Sequence, residues 1–182
     1  MNKALKIYVA GKVSKDSTFG THYWRDEFVQ RLQELSGMAL VSLDPAKKEA
    51  DQNNYEESFG GDVLMISKAD IIVVYLSDDI SVGGSQEILV AKYFDKPVIG
   101  LAPIGGKFHS TNKEIFGQKV KDYKHPFVFA TCDVVRDDIE GVADSIKNIS
   151  DIKIKTLEII KALADKYEAD NLPNDEYMKQ VL

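Results

Sequence analysis

The stretch "DIIVVYLSDDISVGGSQEILVAKYFDKPVIGLAP", residues 70–103, decides how the chain is read. "DIIVVYLS" (70–77) is a continuous, β-branched apolar run, as strands buried on both faces of a parallel sheet tend to be. "SQEILVAKYFD" (85–95) has helical character, and "KPVIGLAP" (96–103) is again strand-like. Strand, helix and strand in this order form a βαβ unit, whose two strands lie parallel. Between the first strand and the helix lies a polar loop with Ser81 and the pair Gly83-Gly84, and the first turn of the helix carries one acid, Glu87. Read from spacing alone, Glu87 is either an ordinary first-turn carboxylate, held ionised by the helix N-terminus, or a group aimed into a crevice.

Working outward, the same alternation continues. "ALKIYVAG" (4–11) predicts a buried first strand, and "HYWRDEFVQRLQELS" (22–36) sets Trp24, Phe28, Leu32 and Leu35 at helical spacing before Gly37. "MALVSLDP" (38–45) predicts a second strand, and after the polar "AKKEADQNN" a helix ends near Lys68. "HPFVFATCDVV" (125–135) reads as a fifth strand, followed by helix from about Asp137 to Asn148. The fold class expected is therefore α/β, a doubly wound sheet of five mostly parallel strands with flanking helices. Residues 1–150 form this domain. Residues 151–182 are a C-terminal helical extension in which "IKIKTLEIIKALADKYEAD" (152–170) carries Leu157, Ile160 and Leu163 on one side, for packing on the domain or on a neighbouring subunit.

Composition narrows the classes of function. Of 182 residues, 44% are hydrophobic, enough for a core, and no run approaches the ~20 apolar residues of a membrane span. The first residues lack the pattern of a secretion signal and Cys132 is the only cysteine, so an intramolecular disulfide is excluded and a cytoplasmic protein without membrane association is expected. A net charge of −6 argues against a nucleic-acid polymer as partner, though not against a small anionic ligand.

In an open parallel sheet, ligands bind at the carboxyl ends of the strands. Three polar loops belong there: "AGKVSKDSTFGTHYWR" after strand one, the Asp44-Pro45 region after strand two, and "SDDISVGGSQE" after the central strand. In the first, Gly11, Lys12, Ser14, Ser17 and Thr18 offer donors for a hydroxyl or phosphate, or simply solvate a surface. Its spacing is not that of a P-loop. Tyr8, in the middle of strand one, is a core residue whose hydroxyl can reach a carboxylate at the strand tops. Asp62, after "FGG", is either a helix cap or a group facing the crevice. Asp70 opens the central strand at its amino end and is read as structural. His22, His109 and His125 have no metal-ligand spacing, and no GxSxG elbow occurs, so no metal, no cofactor and no serine-hydrolase chemistry are expected.

"KIYVAG", "DVLMISKADIIVVYL" and "GGSQEILVAKYFDKPVI", in this order over residues 5–103, resemble the nucleoside 2-deoxyribosyltransferase family, whose superfamily includes nucleoside 5′-monophosphate N-glycosidases. The resemblance implies a flavodoxin-like fold and cleavage of an N-glycosidic bond by a glutamate nucleophile through a glycosyl-enzyme ester. Carried over, Glu87 is the nucleophile, Tyr8 orients it, and Asp62 handles protons at the leaving base, a task for which a raised pKa is useful. Gly11, Ser14, Asp79, Ser81, Gly83, Gly84 and Ser85 then surround the substrate, a small nucleoside or nucleotide. Family members are usually oligomers, so the resemblance also implies a homo-oligomer in which the tail "NDEYMKQVL" or the loop "GGKFHSTNKEIFG" (105–117) helps close a neighbour's pocket.

One departure bears on the substrate. Transferases of the family commonly carry Asp six residues before the nucleophile, on the sugar hydroxyls, where this chain has Ser81. The monophosphate N-glycosidases tend to have Ser there. Asp78 and Asp79 are alternative sources of the missing carboxylate, and Arg25 is either a phosphate contact or a helix-surface residue. Three readings follow: sugar transfer between nucleobases, release of a base from a nucleoside 5′-monophosphate by water, and a catalytically silent nucleotide-binding domain.

Overall fold

The computed structural model describes residues 4–11, 24–49, 51, 53–76 and 80–182. Ser14 and Asp79, with Lys12, Ser17, Thr18, His22 and Asp78, lie outside the described residues. In chain order the elements are β1 (Leu5–Ala10), α1 (Trp24–Ser36), β2 (Leu40–Leu43), α2 (Tyr55–Lys68), β3 (Ile71–Tyr75), α3 (Val82–Tyr93) and β4 (Val98–Leu101). They continue with β5 (His109–Ile115), β6 (Gln118–Lys124), α4 (Pro126–Thr131), β7 (Val134–Arg136), α5 (Ile139–Lys147), α6 (Glu158–Asp170) and α7 (Glu176–Val181).

The main sheet has five parallel strands in the order β2-β1-β3-β4-β7, the doubly wound, flavodoxin-like arrangement. Strand period decides which residues face which layer. Ile7, Val9, Ile71 and Val73 pack with Trp24, Phe28 and Leu32 of α1 and Val142 and Ile146 of α5. Their neighbours Tyr8, Ala10, Ile72 and Val74 point to the opposite layer, against Ile66 of α2, Ile88 and Ala91 of α3, and Val128 of α4. Tyr8, paired with Ile72 of β3 and Leu43 of β2, therefore looks toward α2 and α3. A one-residue slip of β1 would turn it to the wrong face.

Three expectations from the sequence are corrected. The fifth strand of the sheet is Val134–Arg136 alone, because residues 126–131 of "HPFVFATCDVV" form α4. Pro126 sits at the helix start, where its fixed φ is favourable, and Val128 and Cys132, four apart, are both buried while Phe127 is exposed. Segment 105–117 is not a loop. It contributes β5 of an antiparallel β5-β6 hairpin, whose turn at Phe116 (φ 49°) and Gly117 (φ 78°) has the two positive φ angles of a type I′ turn. The last long helix begins at Glu158, not 152, and has no fully buried residue. Ile160 and Leu163 remain 50% and 42% exposed, facing α4 across an open apolar cleft.

Candidate active site

The site is built on two helices and one strand. β1 ends at Ala10, and Arg25 at the start of α1 secures that end: its Nε donates to the carbonyl of Val9 (2.9 Å) and its Nη2 to that of Gly11 (3.0 Å). Arg25 is buried, so it is not a helix-surface residue, and its guanidinium lies 3.7 Å from the buried Asp44 carboxylate at the end of β2. Gly11 is also a close-packing position. A Cβ there would stand 3.2 Å from Trp24 and from Tyr75.

α3 starts three residues earlier than the sequence pattern predicts, at Val82, because Gly83 and Gly84 are helical rather than loop. Ser81 is its N-cap, its Oγ accepting the Gly84 N–H at 3.0 Å. Glu87 consequently lies in the second turn, not the first, away from the unpaired N–H groups of the helix start. Ser85 is exposed and donates its hydroxyl back to Val82 O (2.7 Å). Gly84 is buried with room for no Cβ beyond 3.1 Å from Ile80, whereas Gly83 borders the Glu87 cleft.

The Tyr8 hydroxyl donates to Glu87 Oε1 at 2.8 Å. Tyr8 is fully buried and Glu87 is half-buried. Asp62 is brought to the same place: it lines, with Glu87, Gly83, Gln86 and Phe59, a cleft of about 50 Å³ between α2 and α3. Asp62 is not a helix cap, since α2 begins at Tyr55 with Asn54 as its cap. Instead it forms an ion pair with Lys48, whose ammonium also donates to Ser58 O. Asp70, as expected, is structural: its carboxylate accepts the Lys6 N–H at 2.8 Å at the amino end of the sheet.

The electrostatics follow from this packing. Burial pushes the Glu87 carboxyl above its usual range, the Tyr8 hydrogen bond pulls it back, the nearby Asp62 charge adds to the rise, and Arg25 and Lys48 oppose it. Burial, and then Glu87, push the Tyr8 phenol so far up that it stays a hydrogen-bond donor at any physiological pH. Among the described residues, such an arrangement is a carboxylate with one hydrogen bond, a second acid beside it and two cations at a distance. It can act as a nucleophile whose charge is held by few partners.

The sequence reading missed Lys48 and left Arg25 undecided. Lys48 sits in "AKKEADQNN", a polar connector with no periodicity to mark it. Arg25 had a usable signal, since it follows Trp24 at the edge of the apolar stripe of α1. Among the described residues no group of three or more His, Cys, Asp or Glu is arranged to hold a metal ion, and no helix is long and apolar enough to cross a membrane.

The chain matches no family model and no curated protein. Its fold is similar to solved structures. A conserved protein from Enterococcus faecalis V583 superposes with a TM-score of 0.56 at 19% identity, covering 81% of this chain and 99% of that one. A 2-desoxiribosyltransferase from Leishmania mexicana gives 0.53 at 20% identity, covering 79% and 97%. A 2-deoxyribosyltransferase from Bacillus psychrosaccharolyticus gives 0.50 at 18% identity, covering 82% and 98%. The chain thus has the fold found in 2-deoxyribosyltransferases.

Proposed function

We propose that this chain is a member of the nucleoside 2-deoxyribosyltransferase family that cleaves the N-glycosidic bond of (deoxy)nucleosides and passes the sugar to another nucleobase. The observation that carries this reading is the 2.8 Å hydrogen bond from Tyr8 to Glu87, with Asp62 lining the same cleft. Glu87 attacks the anomeric carbon as the carbon–nitrogen bond breaks, and that electron pair leaves with the base. A proton taken from water and relayed through Asp62 neutralises the departing base. The resulting glycosyl ester on Glu87 is opened by a nitrogen of the incoming base. The ester electron pair returns to the carboxylate, and the acceptor's proton returns to Asp62. Two displacements on one oxocarbenium-like centre give net retention. Tyr8 keeps one oxygen of Glu87 in place and leaves the other for attack. Lys48 positions Asp62.

Gly83 borders the cleft and puts no side chain into it, and Ser81, although it caps α3, keeps a hydroxyl proton to offer a sugar or phosphate oxygen. The substrate is a small nucleoside or nucleotide. The protein works as a homo-oligomer in the cytoplasm.

The test is incubation with a deoxynucleoside, with and without a second free base. Formation of a new nucleoside by the wild-type chain, and none by Glu87→Ala with the fold intact, is the expected result. Base release from a nucleoside 5′-monophosphate alone would instead assign hydrolysis through the same residues. Full activity in Glu87→Ala would remove the mechanism, and no cleavage of any nucleoside or nucleotide would leave a silent binding domain.

A further inference from the structure

The floor and the mouth of the Glu87 cleft differ in kind. α2 and α3 run side by side in the same direction, each starting from a loop at the carboxyl ends of the parallel strands. The cleft is lined by Phe59, Asp62 and Ile66 of α2 and by Gly83, Gln86, Glu87 and Val90 of α3. On each helix these residues lie three, four or seven apart, which is one stripe of its surface. The stripes therefore face each other in order. Ile66 stands against Val90 at the floor, Asp62 against Gln86 and Glu87 in the middle, and Phe59 against Gly83 at the mouth. Ile66 is buried, whereas Phe59 is 58% exposed and has no ring partner among the described residues. Gly83 puts no side chain opposite it. Gln86 is exposed too, and its carboxamide has no hydrogen-bond partner among the described residues, although it stands beside Glu87 on the wall facing Asp62. A carboxamide carries an acceptor oxygen and two N–H donors, and one that no neighbour fixes can present either end.

We propose that Phe59 and Gln86 form the nucleobase contact of this site, and that Gln86 makes it accept bases with an exocyclic amino group and bases with an exocyclic oxo group alike. The proposal rests on the glycosidic reading of Glu87. A base whose departure is assisted through Asp62 stands beside Asp62, one helical turn from Phe59 and across from Gln86. The exposed Phe59 ring takes the face of the base at the mouth, and the Gln86 amide meets its exocyclic group. The amide N–H donates to an oxo oxygen; turned over, the amide carbonyl accepts from an amino group. A side chain locked by protein hydrogen bonds would offer one end and reject the other class of base, because its buried polar end would be left unpaired. Gln86 is under no such lock.

The experiment is base release by the full chain from purine deoxynucleosides that differ only in the exocyclic group: deoxyadenosine (amino), deoxyinosine (oxo) and purine 2′-deoxyriboside (neither). The corresponding amino, oxo and unsubstituted pyrimidine deoxynucleosides form a second series, and both series are also offered as 5′-monophosphates. In the series that is turned over, the wild-type chain should release amino and oxo bases with kcat/KM within about tenfold of each other. Gln86→Glu, which can only accept, should shift the amino-over-oxo ratio by about tenfold or more. The ratio is the informative quantity, since the added charge acts on Glu87 equally for both substrates. Gln86→Leu should cost the amino and oxo substrates about tenfold each and leave the unsubstituted one nearly unchanged. Phe59→Ala should raise KM about fivefold for every base without altering the amino-over-oxo ratio. Both positions are exposed, so these variants keep the core. A wild-type preference far beyond tenfold, an unaltered ratio in Gln86→Glu, an equal loss on all three substrates in Gln86→Leu, or an unaltered KM in Phe59→Ala would overturn the proposal while leaving Glu87 as nucleophile. Release of no base from any of these substrates would remove the glycosidic reading, and the proposal with it.

Discussion

Helix α3 carries one buried and one half-buried ionisable group, Lys92 and Glu87, and its two ends treat them in opposite ways. Near its C-terminus, Lys92 (side chain 1% exposed) pairs with Asp133 (0%). The Asp133 carboxylate is saturated, since it also accepts the N–H groups of Val98 (2.7 Å) and Lys155 (2.6 Å). Lys155 in turn donates to the carbonyls of Phe129, Ala130 and Cys132 and so closes the end of α4. This cluster ties β4, the start of β7 and the segment leading to α6 into one corner. Five residues earlier, Glu87 has, among the described residues, a single hydrogen bond from Tyr8, with a like charge nearby and a raised pKa. The structural carboxylate is surrounded by donors, whereas the proposed nucleophile has one donor among the described residues.

Breaking the comparison at its reactive end should have the largest effect. Glu87→Gln keeps shape and the Tyr8 contact but removes the nucleophile, and base release should fall by about 10⁴-fold or more, measured in single-turnover assays. Stability should move the other way. A carboxyl whose folded pKa lies above its unfolded value of about 4.5 binds protons more strongly when folded. Its contribution to stability is therefore present at low pH and is lost as pH rises through the raised pKa. Glu87→Gln should remove that decline, so the change in urea-unfolding free energy from pH 4 to pH 8 should be more positive in the variant than in the wild type.

At the structural end the prediction reverses. Asp133→Ala strands a buried ammonium and two backbone N–H groups, and should cost about 3–5 kcal/mol of stability by urea unfolding while leaving the folded fraction active. Replacing both members together, Lys92→Met with Asp133→Leu, should recover part of that loss. A double variant as unstable as the single one would mean that the N–H acceptors, not the ion pair, hold this corner.

The contrast also explains what could be read from the sequence. β1, β3 and β4 are legible because each is a short apolar run that must be buried on both faces, and burial leaves few alternatives. Residues 125–131 are apolar too, but so short a run does not separate strand from helix. The hairpin escaped notice because its strands are largely solvent-exposed and carry no apolar alternation. At the site, the residues Tyr8, Asp62 and Glu87 were legible through their resemblance to a family. Their electrostatics were not. The onset of α3 was hidden by Gly83-Gly84, which reads as loop until Ser81 is seen capping it, and that shift moves Glu87 out of the helix-start field. The Lys48–Asp62 pair joins residues fourteen apart across a turn of no clear pattern.

Intermediate in size is the effect of Asp62→Asn. It removes proton transfer at the base, and about 10²-fold should be lost in turnover. It also removes the like charge that helps raise Glu87, so the acid limb of the pH–rate profile should move to lower pH. An acid limb that stays put would place Asp62 too far from Glu87 to matter electrostatically, whatever happens to the rate.

The smallest effect, and the one that most sharply separates positioning from packing, belongs to Tyr8→Phe. The ring fills the same space in the core, so stability should change little, and thermal unfolding checks this. What disappears is one hydrogen bond to a carboxylate, worth about 1.5 kcal/mol at the lower end of the usual range, which puts the loss of activity near 10-fold. The direction of the pH shift is the informative part. The Tyr8 hydroxyl favours the charged form of Glu87. Without it the Glu87 pKa rises further, fewer molecules carry the nucleophile at a given pH, and the acid limb should move to higher pH, opposite to Asp62→Asn. Activity should recover as pH is raised past the new limb, until only the loss of orientation remains. If Tyr8→Phe lowers activity equally at all pH values, the hydroxyl orients Glu87 without tuning it. If both variants shift the limb the same way, the carboxylate titrating in that limb is not Glu87.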